Sequence, residues 1–370
     1  MASFVVDAFG TAVSVKCHAS DLDRLRQQWS RCLTEPVDKP KQIERVEHSG
    51  GELVDTADYA LSSAVTLAAI NAQAGERLMF HACGLADPES RDVAVLVAAS
   101  GTGKTTASVR LSQVGLGYVS DETIAVDDDL SVRAYPKPVS VVIDPAHPTQ
   151  KSQHGPDELG MAPAPEGHLG LGAVVLLTRR RDEHVAPTLT RIDLIDGLVD
   201  LLPQTSALPR ITHPLRTLAS AVARVGGPLR LEYSEIEESV ELLREALGST
   251  APEVEFVHLP PTAELFTDET VAAQPVTDPR VVQRSPYLDA VEADGRVMLL
   301  LGTQSVVLDG VGALLWQHAE QPTRIEDLLQ RCREEFGPHP DDTQIVNSSV
   351  EQLISHSVLR ECDEVTPPGR

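Results

Sequence analysis

Hydrophobic and polar positions change period several times along the chain, and each change marks a segment of different character. Residues 1–55 alternate weakly and end in the polar stretch Glu47-His48-Ser49-Gly50-Gly51, which predicts a small strand-containing N-terminal region. Over 58–74 the period becomes helical. Ala60, Leu61, Ala64, Val65, Leu67, Ala68, Ile70 and Asn71 cover one broad face, Asp55 or Thr56 can cap it, and Gly75 stops it. A short apolar run over 77–85 has the density of a strand. The run 92–99, DVAVLVAA, is continuously apolar, as in a strand buried on both faces of a sheet. A helix is expected from Lys104 to about 114, closed by Gly115.

Strands are expected next over 117–120, 123–126 and 139–143, then a loop rich in Pro, His and Gly over 145–168. A further buried strand over 172–178 leads to Arg179-Arg180-Arg181. Helices over 192–202, 215–225 and 235–247, with a strand near 230–233 among them, complete an alternation of strand and helix. That alternation predicts an α/β layered domain over 56–248. Residues 249–284 are rich in proline and hold no period, so they read as a linker. A second small domain is expected over 285–363. Its parts are a hairpin of 297–301 and 305–308 about Gly302-Thr303-Gln304, helices over 310–319, 325–336 and 343–355, and a last strand over 358–360.

Composition narrows the class. A length of 370 residues suits two to three domains, and 42% hydrophobic residues with 4% aromatic ones imply aliphatic cores. Lys and Arg number 31 against 55 Asp and Glu, a formal charge of -24. Such a field repels phosphate backbones and anionic lipid, so neither nucleic acid nor membrane is expected as a partner. No apolar run has the roughly 18–20 residues of a membrane span. The N-terminal stretch lacks a basic segment and cleavage site of the secretory kind, and the five cysteines lack zinc or CxxC spacing. A cytoplasmic protein with reduced thiols is expected.

The sharpest chemical feature is Ala98-Ala99-Ser100-Gly101-Thr102-Gly103-Lys104-Thr105-Thr106, a phosphate-loop pattern with Ala98 in place of its first glycine. Glycines let backbone N–H groups turn inward around phosphates, and a helix starting at Lys104 aims its positive end at the same place. Lys104 would reach the β- and γ-phosphates, and the Thr105 hydroxyl would ligate Mg²⁺. A Gly/Thr-rich turn alone would give the same letters. The apolar strand before it and the helix after it favour a nucleotide site built from Ser100, Gly101, Thr102, Gly103, Lys104, Thr105 and Thr106. Downstream, Tyr118-Val119-Ser120-Asp121-Glu122 ends a strand in two carboxylates, where one can help hold Mg²⁺ and one can accept a hydroxyl proton. Asp127-Asp128-Asp129 looks similar but reads as a hairpin tip.

At these residues the chain resembles the HPr kinase/phosphorylase superfamily, whose fold is related to phosphoenolpyruvate carboxykinase. His81, DVAVLVAA, Ser100-Gly101-Thr102-Gly103-Lys104-Thr105 and Asp121-Glu122 follow the family's order and spacing. The resemblance implies an α/β P-loop kinase domain using ATP and Mg²⁺. It implies Asp121 as the base, Thr105 and Glu122 as the metal side, and His81 near the γ-phosphate. Glu122 stands where the family usually has Asp, and the Pro- and Arg-rich signature of the bifunctional enzymes is absent, so phosphorolysis is not expected. Arg179, Arg180 and Arg181 could meet a phosphate or form a solvated run.

The stretch from Tyr287 through VMLLLGTQSVVLDGVGALLW and FGPHPDD to Ser357-Val358-Leu359-Arg360 resembles the PqqD-like peptide chaperones. It implies a winged-helix-like α+β domain that binds the leader of a ribosomally made precursor peptide as an added strand. The two resemblances together imply an ATP-dependent Ser/Thr kinase acting on such a precursor peptide. Two alternatives stand beside it: a non-catalytic nucleotide-binding scaffold and a regulatory kinase of a folded phosphocarrier. The kinase relatives are often oligomeric, which leaves a homo-oligomer open.

Overall fold

Two largely apolar runs, residues 92–97 and 170–176, pair side by side and form the middle of the sheet that carries the N-terminal part of the molecule. The computed structural model describes residues 1–45, 53–99, 102–144, 147, 150–249, 251–261 and 280–362. They divide into two units, Met1–Val254 and Glu255–Arg370.

In the first unit, β1 (Ala2–Ala8) and β2 (Thr11–Cys17) form an antiparallel hairpin, and β3 (Lys41–Glu44) runs parallel to β2. A short helix, α1 (Leu22–Gln28), lies between β2 and β3 in sequence. The long helix α2 (Leu53–Gln73) starts before the expected 58 and ends ahead of Gly75, whose φ of +92° suits glycine. Leu61, Val65 and Ala69 of α2 share one core cluster with Phe4, Val6, Val13, Val15 and Trp29. The N-terminal residues therefore have no separate core. Asp58 of α2 is buried and accepts from Arg24 and, at 2.8 Å, from Arg45 Nε, so a buried carboxylate pins α2 to the N-terminal segment.

The apolar run over 77–85 breaks at His81 into β4 (Leu78–Phe80) and β5 (Ala82–Ala86), which enter different sheets. Both pieces are buried throughout, so hydrophobic periodicity carries no sign of the corner. The large sheet has the order β13-β15-β12-β6-β5-β7. Its parallel core is β6 (Asp92–Val97), β12 (Gly170–Arg179) and β15 (Leu229–Tyr233). β5 is antiparallel to β6, β7 (Gly117–Ser120) is antiparallel to β5, and β13 (Thr188–Arg191) is antiparallel to β15. In consequence β6, β7 and β12 point the same way and end at one edge.

The smaller sheet orders β14 (Thr205–Ser206), β4, β8 (Ile124–Val126) and β9 (Val132–Arg133). A ribbon of β10 (Val139–Val142) and β11 (Lys151–His154) follows. β11 falls in the stretch expected as loop, because Lys-Ser-Gln-His has no apolar alternation and owes its form to pairing with β10. Helices α3 (Lys104–Gln113) and α6 (Val240–Gly248) cover the large sheet. Ala107, Leu111, Leu243 and Leu247 pack with Leu85, Leu96, Val175 and Leu231. Between them in sequence lie α4 (Leu194–Leu201), capped by Asp193, and α5 (Pro214–Arg224), which begins on a proline.

In the second unit, β18 (Asp289–Ala293), β19 (Arg296–Leu301) and β20 (Gln304–Leu308) form a meander, with β16 (Val257–Leu259) on the far side of β18. β17 (Val281–Arg284) lies between β21 (Thr323–Arg324) and β22 (Leu359–Cys362). Helices α7 (Gly310–His318), α8 (Ile325–Phe336) and α9 (Asp342–Ser355) complete it. The stretch 249–284, expected as linker, thus contributes two short strands, and its residues 262–279 lie outside the described ones. The core is one cluster around Trp316 and Tyr287, whose rings meet edge-on at 5.3 Å. Arg284 lies over Trp316 at 3.9 Å and donates to the carbonyls of Trp316 and Gln317, closing the C-terminus of α7. Among the described residues no helix is long and apolar enough to cross a membrane.

One close approach fixes β7 before it reaches the site. A Cβ on Gly117 would lie 2.7 Å from the Pro163 carbonyl oxygen and 2.9 Å from Ala164 Cα, both backbone atoms. Gly117→Ala is therefore expected to destabilise the first unit by about 1–3 kcal/mol in denaturant unfolding. Gly312→Ala, in α7 with open space around it, should be neutral or stabilising.

Candidate functional site

β6 ends at Val97 and the chain turns back into α3 within a few residues. Thr102 closes the turn by donating its hydroxyl to the Ala99 carbonyl at 2.5 Å. Gly103 has φ +107°, a left-handed conformation that a side chain would strain, and α3 starts directly after it with no side-chain cap. Ser100 and Gly101 lie outside the described residues. Lys104 is buried and donates to the Ala98 carbonyl at 2.6 Å, which folds its side chain back over the turn. Burial pulls its ammonium below the usual lysine range, against the opposing pull of Cys83 and Asp121. Thr106 is exposed.

Sheet topology brings the acid pair to the same place. β7 is two strands from β6 and shares its direction, so Asp121 emerges beside the start of α3. The Thr105 hydroxyl lies 3.4 Å from Asp121 Oδ2. Asp121 Oδ1 is held by the Tyr118 hydroxyl at 3.1 Å and by Lys137 Nζ at 3.1 Å. Glu122 turns the other way. Its Oε2 lies 3.1 Å from Lys137 Nζ and accepts from the Thr66 hydroxyl of α2 at 3.3 Å. Burial opposes ionisation of Glu122, but Lys137, with His81 and Thr66, outweighs it and holds the carboxyl below its usual range.

His81, at the corner between β4 and β5, donates its backbone N–H to the Gln204 carbonyl at 2.7 Å, and Ala82 N donates to the Glu122 carbonyl at 3.2 Å. The imidazole is thereby set between Lys104 and the two acids. Burial first, then Lys104, pull its pKa below 6.5, so it is neutral at neutral pH. Burial also pushes the nearby Cys83 thiol up to about 12, which rules it out as a nucleophile at neutral pH.

The structure therefore brings Lys104, Thr105, His81, Asp121 and Glu122 to one sheet edge. Arg179 and Arg180 are engaged by other groups. Arg179 donates to the Ser234 carbonyl at 3.1 Å, and Arg180 pairs with Glu232 at 3.1 Å. Asp127 is engaged by Arg77 and Arg133, and Asp129 accepts from Ser131 N in the β8–β9 turn. The residue that sequence reasoning missed is Lys137, which is 1% exposed. Two signals pointed to it. It stands between prolines in Tyr135-Pro136-Lys137-Pro138, and it is one of six lysines in the chain, of which Lys104 and Lys137 are the buried ones.

Two oxygen donors meet here, the Thr105 hydroxyl and Asp121 Oδ2, and suit a hard cation of the Mg²⁺ type, while Glu122, expected with Thr105 on the metal side, turns its Oε2 to Lys137 and Thr66. Fold and site together define a mixed α/β protein with a strand–turn–helix unit facing a carboxylate pair. No protein-family model matches the sequence, and no curated protein matches it. Among solved structures, that of the HPr(Ser) kinase/phosphatase from Coxiella burnetii is similar at 11% identity and a TM-score of 0.25. The match covers 45% of this chain and 95% of that one, and at that score it carries no argument.

A titration checks the placement of His81. Its folded-state pKa is lowered, so the unfolded chain binds the proton more readily and stability falls as pH drops below 6.5. His81→Gln is expected to flatten this part of the thermal-unfolding profile between about pH 5 and 7 relative to the parent.

Proposed function

We propose that the chain is an ATP- and Mg²⁺-dependent phosphotransferase that phosphorylates a Ser or Thr hydroxyl of a ribosomally synthesised precursor peptide, with the second unit binding the leader. The observation that carries the reading is the contact of Thr105 with Asp121 beside the buried Lys104. It sets a cation, a hydroxyl and a carboxylate around the N-terminus of α3, where a triphosphate would be gripped.

The residues divide the work by what already holds them. Lys104 rests on the Ala98 carbonyl and can exchange that acceptor for a phosphate oxygen at little cost, because one hydrogen bond replaces another. Thr105 and Glu122 would hold Mg²⁺, which supplies positive charge against the phosphates when bound. Asp121 is clamped through Oδ1 by Tyr118 and Lys137, and its Oδ2, once Thr105 turns its hydroxyl to the metal, would face the acceptor hydroxyl and take its proton. His81, neutral, can donate a hydrogen bond to the transferring phosphoryl group without adding charge.

In the second unit, among the described residues, β20 pairs only with β19 and β22 only with β17. Such edges can accept an extended leader as an added strand, which supports the peptide-binding half of the reading.

Full-length protein incubated with Mg-ATP and a precursor encoded nearby should yield a peptide one phosphate heavier by mass spectrometry. Absence of phosphopeptide with every such precursor would refute the reading. Asp121→Asn is expected to lower turnover by about 10²–10⁴-fold while leaving ATP affinity within a few-fold, whereas a scaffold would lose little. With the unaltered protein, a leaderless precursor should raise KM and leave kcat nearly unchanged, because the leader contributes equally to ground and transition states.

A further inference from the structure

Lys137 is the one buried ammonium at the site that the phosphate-loop pattern does not require. Its Nζ has three N–H donors and three acceptors, Asp121 Oδ1, Glu122 Oε2 and the Pro138 carbonyl, each at 3.1 Å. The flanking Pro136 and Pro138 fix the backbone on both sides. Swinging the ammonium away would strand both a buried cation and two carboxylates, so it stays where it is.

A fixed cation changes what the acid pair can bind. Two adjacent carboxylates without Lys137 would make a dianionic notch able to take a divalent ion unaided. With Lys137 seated between them, the cluster keeps a single net negative charge, and one oxygen of each acid is already spent on the ammonium. Mg²⁺ sites with so few protein carboxylates depend on phosphate oxygens from the substrate.

We infer that Lys137 is a resident counter-ion that keeps Asp121 and Glu122 from holding a divalent cation in the absence of nucleotide, so that the metal is admitted with the triphosphate. The inference rests on the reading of this acid pair as the metal-facing and proton-accepting side of a nucleotide site. Lys137 acts through the carboxylates and is a positioning residue, not a catalytic one. The arrangement would prevent idle occupation of the acids by free metal and leave Oδ2 of Asp121 with the Thr105 hydroxyl as its partner until substrate arrives.

The test is Mn²⁺ uptake by the full-length, nucleotide-free protein, read from the electron paramagnetic resonance of free Mn²⁺. The parent is expected to show no Mn²⁺ site below about 1 mM that Asp121→Asn abolishes. Lys137→Met should gain one Mn²⁺ per chain, bound at least about tenfold more tightly, and Lys137→Met combined with Asp121→Asn should lose that gain. A folded Lys137→Met protein with no gain would overturn the inference. So would a parent that binds Mn²⁺ below about 1 mM at a site abolished by Asp121→Asn, a comparison that stands even if Lys137→Met does not fold. Adding a non-hydrolysable ATP analogue to the parent, with uptake counted only beyond that of the analogue and Mn²⁺ without protein, separates the two readings. If it brings no Mn²⁺ uptake while Lys137→Met shows the gain, the counter-ion assignment stands and the nucleotide reading falls.

Discussion

The direction of two strands governs the site. β6 and β7 run the same way with β5 antiparallel between them, so the turn that leaves β6 and the acids that leave β7 open at the same sheet edge. Had β7 run the other way, Asp121 would lie a strand's length from Lys104 and no chemistry could join them. Gly117 lets β7 pass hard against Pro163 and Ala164, and Tyr118, one residue on, both packs in the interior and reaches Asp121. The corner at His81 serves the same end, since splitting one apolar run between two sheets turns an imidazole out beside Glu122.

Charge distribution completes the arrangement. The chain carries a net -24, a field that opposes the approach of an anion. Against that background the two buried lysines sit at this edge, Lys104 on the loop side and Lys137 between the acids. Buried charge is costly unless paired, and each is paired differently. Lys104 has one carbonyl that it can exchange. Lys137 has a full set of acceptors that it cannot leave. One is suited to meeting a ligand and the other to holding the protein's own groups in place.

Much of this was legible in the sequence where the signal is local. The glycine at 103, the apolar strand before it and the helical period after it need no tertiary information, and neither does the delivery of Asp121-Glu122 by a strand. The hairpin and three helices of the second unit were likewise visible, as was the long helix over 58–74. What stayed hidden depends on partners far away in sequence. β11 and β16 are too short or too polar to announce themselves and exist because β10 and β18 pair with them. The break at His81 is invisible because both sides are equally buried. Lys137 declared only a Pro-Lys-Pro setting, and its meaning arises from two acids fifteen and sixteen residues upstream that fold back onto it.

The account stands on the claim that the turn before Lys104 grips a triphosphate whose terminal phosphate faces Asp121. The most direct measurement is a crystal structure of the chain with a non-hydrolysable ATP analogue and Mg²⁺. The account predicts Lys104 Nζ released from the Ala98 carbonyl onto a phosphate oxygen, with Asp121 Oδ2 turned toward the γ-phosphate. A nucleotide bound elsewhere, or a γ-phosphate out of reach of Asp121, would contradict it.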